Sequence, residues 1–243
     1  MKNKIWLLVL LFFPALLFSG TTTYTYSIHY AGLPVARALI THDNSDSVQT
    51  ITLEASSRGF VSAFFSVDNT YLSSCNSSFL PLHFWKTIYQ QNVQEKKVIM
   101  FREKLSDIEV RDIRNERIDT IRTDMPVYDI VSFTFALIDE LPESNIYSCY
   151  GNYRLWEMAV KKIGTDALIH NKKEYICNVY KIRSRILYDT RIDSKTDILT
   201  NNIFKPNGIT YYWIDSKDQL LVKAKYKRFP FSIFMYLENI EVH

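Results

Sequence analysis

Alternation of apolar and polar residues dominates most of the chain, and a period of two predicts β-strands with one face turned to a core. The first predicted strand is Thr23-Tyr24-Thr25-Tyr26-Ser27-Ile28-His29-Tyr30, followed by the turn Ala31-Gly32-Leu33-Pro34 and a strand from Val35 to His42. Turn residues Asp43-Asn44-Ser45-Asp46 lead into a strand from Gln49 to Ser57. Further strands are predicted over 65–74, 82–91, 97–103 and 108–112. After an interruption the alternation resumes over 146–150, 153–163, 174–185, 209–214, 220–227 and 233–242, with Asp215-Ser216-Lys217-Asp218 as a hairpin turn.

The interruption runs from Val127 to Leu141. Val127, Ile130, Val131, Phe133, Phe135, Ala136, Leu137 and Ile138 fall mainly at spacings of three and four, which predicts an amphipathic helix. Pro126 suits a first turn, Asp129 favours the N-terminal end and Pro142 closes the element. The expected fold is a curved antiparallel sheet or partly closed barrel with this one inserted helix over about 127–141 filling an open sheet face. Thr190 to Asn202, rich in Asp, Thr and Asn, reads as a loop over the rim.

The N-terminus follows a different rule. Lys2 and Lys4 precede an apolar run, Ile5 to Phe18, and Ser19-Gly20 supplies small residues for cleavage. The run is about 14 residues, short of the roughly 20 that a spanning helix requires. Residues 1–20 are therefore expected to be a signal peptide and 21–243 a single envelope β domain in the periplasm or outer envelope. The alternative is an uncleaved N-terminal anchor. No Cys follows the apolar run, so a lipidated N-terminal Cys is not indicated.

Composition adds limits. The formal charge is +3, and two of those charges lie in the leader, so nucleic acid is not an expected partner. Cys75, Cys149 and Cys177 permit at most one internal disulfide, with Cys75–Cys149 the candidate pair. Five dispersed histidines give no metal-ligand spacing, and no GxSxG elbow or Gly-rich phosphate loop is present. No catalytic residue, metal or cofactor is assigned. The mixed charges of Glu95 to Arg122 read as a solvated sheet face.

Candidate ligand-contacting residues are His83 and Trp85, beside Phe84, together with Trp213 and Tyr226 in the aromatic C-terminal third. Lys223, Lys225 and Lys227 share one strand face, with Arg228 next in sequence. They read either as protection of an edge strand or as a contact for anionic envelope glycolipid or polysaccharide.

Several segments in order resemble one exported bacterial family. They are Tyr30-Ala31-Gly32-Leu33-Pro34-Val35-Ala36-Arg37-Ala38, Phe64-Phe65-Ser66-Val67-Asp68-Asn69-Thr70-Tyr71, Leu80-Pro81-Leu82-His83-Phe84, Tyr128-Asp129-Ile130-Val131-Ser132 and Gly208-Ile209-Thr210-Tyr211-Tyr212-Trp213-Ile214-Asp215. The family is domain of unknown function 3108, and the similarity runs from about Tyr26 to Val242. Ala36 stands where its pattern has Gly. The resemblance implies an envelope β fold with one inserted helix and no assigned chemistry.

Three functional classes follow. The first is a non-enzymatic envelope protein that holds an apolar or amphipathic molecule in the sheet concavity, with a lipid, glycolipid or envelope protein as partner. The second is a structural or assembly protein with a filled core, and the third an unrecognised hydrolase.

Overall fold

A computed structural model describes residues 20–59, 61–64, 66–90, 92–102, 107–190 and 196–243. The predicted leader lies outside the described residues, apart from Gly20. One fifteen-stranded sheet contains every strand among the described residues, in the order β8-β7-β6-β5-β4-β3-β2-β1-β15-β14-β13-β12-β11-β10-β9. Its N-terminal arm comprises β1 (Thr21–Tyr30), β2 (Leu33–Asp43), β3 (Gln49–Ser57), β4 (Val67–Cys75), β5 (Pro81–Gln90), β6 (Val93–Arg102), β7 (Asp107–Asp112) and β8 (Arg117–Arg122). The other arm comprises β9 (Val127–Tyr128), β10 (Ser144–Gly151), β11 (Arg154–His170), β12 (Lys173–Asp189), β13 (Gly208–Asp215), β14 (Leu220–Tyr226) and β15 (Ile233–Val242). β1 and β15 join the arms side by side. All pairings are antiparallel except β9 with β10. The sheet is curved but not closed, and residues 123–126 link its two terminal strands, β8 and β9.

Curvature has local causes. The register shifts at Thr25/Tyr26 and Ile28/His29 in β1, at Ser74/Cys75 in β4, and beside Gly164 in β11. Each bulge inserts an unpaired residue, which bends its strand and increases the local twist. Gly164 adopts φ +154°, a backbone conformation that side chains disfavour, so β11 continues through the bulge to His170. The sequence pattern stops that strand at Ile163 because the residues beyond it project from the body and are mostly exposed on both faces.

Among the described residues, three helices sit with the sheet rather than one. α1 (Val61–Phe64) is a single turn, α2 (Ile130–Glu140) is the predicted amphipathic helix, and α3 (Ile198–Ile203) lies where a rim loop was expected. α2 begins three residues later than its pattern suggests, because Val127 and Tyr128 pair with β10. Asp129 then caps it, accepting from Val131 N at 2.8 Å and Ser132 N at 2.9 Å, while Ser132 Oγ accepts from Asp129 N at 3.1 Å. Leu141 ends the helix in the left-handed region at φ 43°. α2 packs against β3, β4, β9 and β10, and α3 packs against β13, so both occupy the inside of the curve.

Inward positions of β4 and β5 illustrate the core. Val67, Tyr71 and Cys75 alternate with Phe84 and Ile88 on the next strand, all buried beneath the helices. Cys75, Cys149 and Cys177 are buried free thiols, so the candidate Cys75–Cys149 bridge is not formed. The edge-strand reading of Lys223 and Lys225 is also overturned. β14 is hydrogen-bonded to β13 on one side and β15 on the other.

Candidate functional site

The concave face encloses a cavity of about 420 Å³ between the sheet and helices α2 and α3. Small side chains create the space: Ala36 and Ala38 on β2 and Ala55 on β3 point inward where larger residues would meet the helices. Leu53, Ile130, Val131, Leu199, Leu221 and Met235 make most of the remaining wall apolar. Such a volume and lining lie within the range of small-molecule sites, which run from about 300 to 1,000 Å³.

Few polar groups reach this space. Asn69 is 1% exposed and its Oδ1 has no hydrogen-bond partner, although its Nδ2 donates to Tyr71 Oη at 3.4 Å. Thr134 Oγ1 lies 3.4 Å from Tyr212 Oη, and its own donor capacity is engaged by Ile130 O at 2.9 Å. At the outer end, exposed Arg228 donates to Asn202 Oδ1 at 3.0 Å and has no carboxylate partner among the described residues. A graded wall leads inward from it. Val35 and Ala36 are half-buried while Ala38 and Ile40, further along the same strand, are buried.

Behind the cavity wall lies a buried charge cluster. Lys86 Nζ on β5 is 2.5 Å from Asp197 Oδ2 and 2.9 Å from Glu95 Oε2. Glu95 also meets Lys97 at 3.2 Å, and Lys97 lies 3.9 Å from Asp112. All five are at least nine-tenths buried. Asp197 caps α3, accepting from Thr200 N at 2.9 Å, and it accepts from Tyr71 Oη at 2.5 Å. Burial by itself would raise the Asp197 pKa, but the Lys86 ammonium and the hydrogen bonds from Lys86 and Tyr71 hold it down at about 2. Burial likewise opposes the charge on Lys86, yet Asp197 and Glu95 raise its pKa above the ordinary lysine value. The arrangement fastens α3, and with it one wall of the cavity, to the sheet.

This cluster corrects two expectations. Glu95, Lys97 and Asp112 belong to the stretch read as a solvated face, yet they are inside. Thr196, Asp197 and Thr200 belong to the expected rim loop, yet they are buried around Lys86 Nζ, which donates to Thr196 Oγ1 at 2.6 Å.

Of the predicted ligand contacts, only Tyr226 lines the cavity. His83 and Trp85 meet as tilted rings with centroids 5.3 Å apart on the outward face of β5, whose inward residues are Phe84, Lys86 and Ile88. Trp213 is also outward, donating to Asp166 at 3.0 Å, with Lys223 Nζ 4.5 Å from its ring centre. Lys225 lies over Tyr211 and Phe234 on the same outer face, and Lys227 is exposed beyond the end of β14. Burial lowers the pKa of Lys223, with Lys225 adding to the effect and Asp166 opposing it. Asn69 and the three alanines are among the cavity residues that pattern reading did not single out, and Arg228 entered it only as a neighbour of the basic strand face. The inward run of small residues on β2 and β3 was the available signal. Among the described residues, no group of three or more His, Cys, Asp or Glu is arranged to hold a metal ion.

Fold and site together define a β-barrel-like protein whose open, coiled sheet wraps an apolar cavity. A family model, DUF3108, protein of unknown function, matches residues 25–238, and the chain belongs to that family. Among solved structures it is similar to a beta-barrel-like protein of domain of unknown function DUF1849 from Brucella abortus. That match has 8% identity and a TM-score of 0.58, covering 92% of this chain and 97% of the other. A second similar structure is the hypothetical lipoprotein YmcC from Escherichia coli, at 9% identity and a TM-score of 0.32, covering 90% of this chain and 84% of that one. No curated protein matches the chain. The family is one of unknown function, and no catalytic activity is assigned to it.

Proposed function

We propose that this protein is a non-enzymatic envelope protein that holds one apolar or amphipathic molecule in the concavity of its sheet. The observation that carries the reading is the cavity of about 420 Å³ with its nearly continuous apolar wall. A cavity of about 150 Å³ lined by Leu, Ile and Phe stays dry and accepts a benzene ring, so this one has room on the order of sixteen carbon-sized atoms. That matches a single acyl chain better than a two-chain lipid.

Burying such a chain is favourable by about 25 cal/mol for each Å² of apolar surface removed from water. Arg228 at the outer end, hydrogen-bonded to Asn202 and without a carboxylate partner among the described residues, offers a cation for an anionic head, and Asn69 offers one polar group deep in the wall. The envelope location rests on Lys2, Lys4 and the apolar run Ile5 to Phe18. A filled core would favour a scaffold acting through its surface, and the open volume argues against that alternative.

The test is organic extraction of protein purified without detergent from the envelope fraction, followed by mass spectrometry. Titration of the emptied protein with a fluorescent palmitate completes it. A stoichiometric single-chain amphiphile and saturable palmitate binding are expected. Protein that carries no extractable amphiphile and does not bind palmitate would remove this reading.

A further inference from the structure

The end of the sheet where the cavity wall becomes exposed carries a second feature. Lys227-Arg228-Phe229-Pro230-Phe231, the connection from β14 to β15, is exposed at all five positions. Phe229 is 93% exposed, more than any other large apolar side chain among the described residues, and Phe231 is 51% exposed. Leu33, at the tip of the β1–β2 hairpin, is 64% exposed. The pairing register places these tips together: Tyr30 pairs with both Leu33 and Ile233, and the Tyr30 and Phe231 rings lie edge to face with centroids 5.9 Å apart.

Solvent exposure of two phenylalanines and a leucine on adjacent turns is unfavourable in water unless another surface covers them. Tyr30, Ile233 and Arg228 line the cavity, so the apolar tips continue the cavity wall outward. Lys227 and Arg228 flank them, and neither forms an ion pair with a carboxylate among the described residues. Apolar tips with adjacent cations match the chemistry of an anionic bilayer surface, where rings enter the headgroup boundary and cations meet lipid phosphates. A soluble acidic protein would match the cations but would leave no acyl region for a ring projecting as far as Phe229.

We propose that this rim docks onto an anionic lipid leaflet, bringing the cavity mouth against the membrane so that a single-chain amphiphile transfers without crossing water. The inference rests on the reading of the cavity as an amphiphile site and adds the partner from which that site is loaded.

The experiment measures flotation of the mature chain with vesicles of phosphatidylglycerol and phosphatidylcholine, beside vesicles of phosphatidylcholine alone. Association with the anionic vesicles that weakens at high salt is expected. The double variant Phe229→Ser with Phe231→Ser, whose positions lie outside the cavity wall, is expected to lower that association about tenfold. Palmitate binding in solution stays unchanged, which also reports that the variant is folded. Leu33→Ser provides an independent rim variant with the same direction of effect. Failure of the wild-type protein to float, or flotation unchanged in both rim variants, would overturn the docking surface. Flotation together with an absence of palmitate binding would instead remove the cavity reading and leave the surface without its transfer role.

Discussion

Lys86 on β5 and Asp197 at the head of α3 meet at 2.5 Å, and both are almost fully buried. Isolated charges do not persist in an apolar interior, and breaking a buried pair by removing one partner costs about 3–5 kcal/mol. Asp197→Asn should therefore destabilise the protein by about that amount in urea unfolding. Lys86→Met should do likewise, since it leaves Asp197 and Glu95 without their shared cation. The double variant is expected to cost less than the sum of the two. An additive double variant would mean that the contact contributes nothing specific.

The same pair sets a dependence on pH. The Asp197 carboxyl is held at about 2 in the folded protein against an ordinary value of 3.8, so the unfolded chain takes up the proton first as pH falls. Its contribution is complete above about pH 4 and lost between about 4 and 2. Lys86 shifts upward, so its contribution is complete below the ordinary lysine value of 10.5 and lost as pH rises through its folded value. Wild-type protein should lose stability more steeply than Asp197→Asn between pH 4 and 2 in parallel thermal melts. Asp129, whose pKa burial raises against its hydrogen bonds, is present in both proteins and cancels in the comparison.

Filling the cavity should separate binding from folding. Ala55 lines the space and is only half-buried, so Ala55→Phe directs a ring into it. Palmitate affinity should fall about tenfold or more, while the unfolding free energy falls by no more than about 1–3 kcal/mol. Loss of stability with unchanged affinity would contradict the assignment of the cavity.

Gly151 supports the wall from behind. A Cβ there would overlap the ring of Phe204, which follows α3 and packs on Trp156 with centroids 5.7 Å apart. Phe204 is buried and cannot swing aside, so Gly151→Ala should cost about 1–3 kcal/mol. Adding Phe204→Leu to that variant should recover part of the loss in the same unfolding assay.

The thiols should be inert. Burial pushes Cys75 and Cys177 up to about 12, with Asp129 adding to the shift at Cys75 and Asp215 at Cys177. Native protein at neutral pH should resist alkylation for as long as it stays folded, and all three cysteines should label in denaturant. Reductant is expected to leave the thermal midpoint unchanged.

Alternation in the sequence located most strands, and it located them best where one face is buried. β8 was not recognised, because Arg117, Ile118 and Thr120 are all exposed while Ile121 alone is fully buried, which leaves no apolar face to detect. Helix α2 was legible through its spacing, and Asp129 marked its start, but the competing pair β9 with β10 was not. Pairing with a remote strand leaves no local trace.

The site was legible only in outline. Ala36, Ala38 and Ala55 look like ordinary strand residues, and their small volume acquires meaning only opposite α2 and α3. Trp213 and Trp85 were singled out as aromatic, but the strand pleat turns them outward. Lys223 and Lys225 looked like edge protection because a sequence does not state which strands flank its own.

The sequence by itself determined an apolar leader-like N-terminus, a strand-dominated body and one amphipathic helix, because those features depend on neighbours within a few residues. Only the tertiary structure decided that Lys86, Glu95, Lys97, Asp112 and Asp197 are buried together and that small side chains leave an open cavity. Whether a charge is solvated or paired, and whether a small residue leaves space, depends on partners brought near from distant parts of the chain.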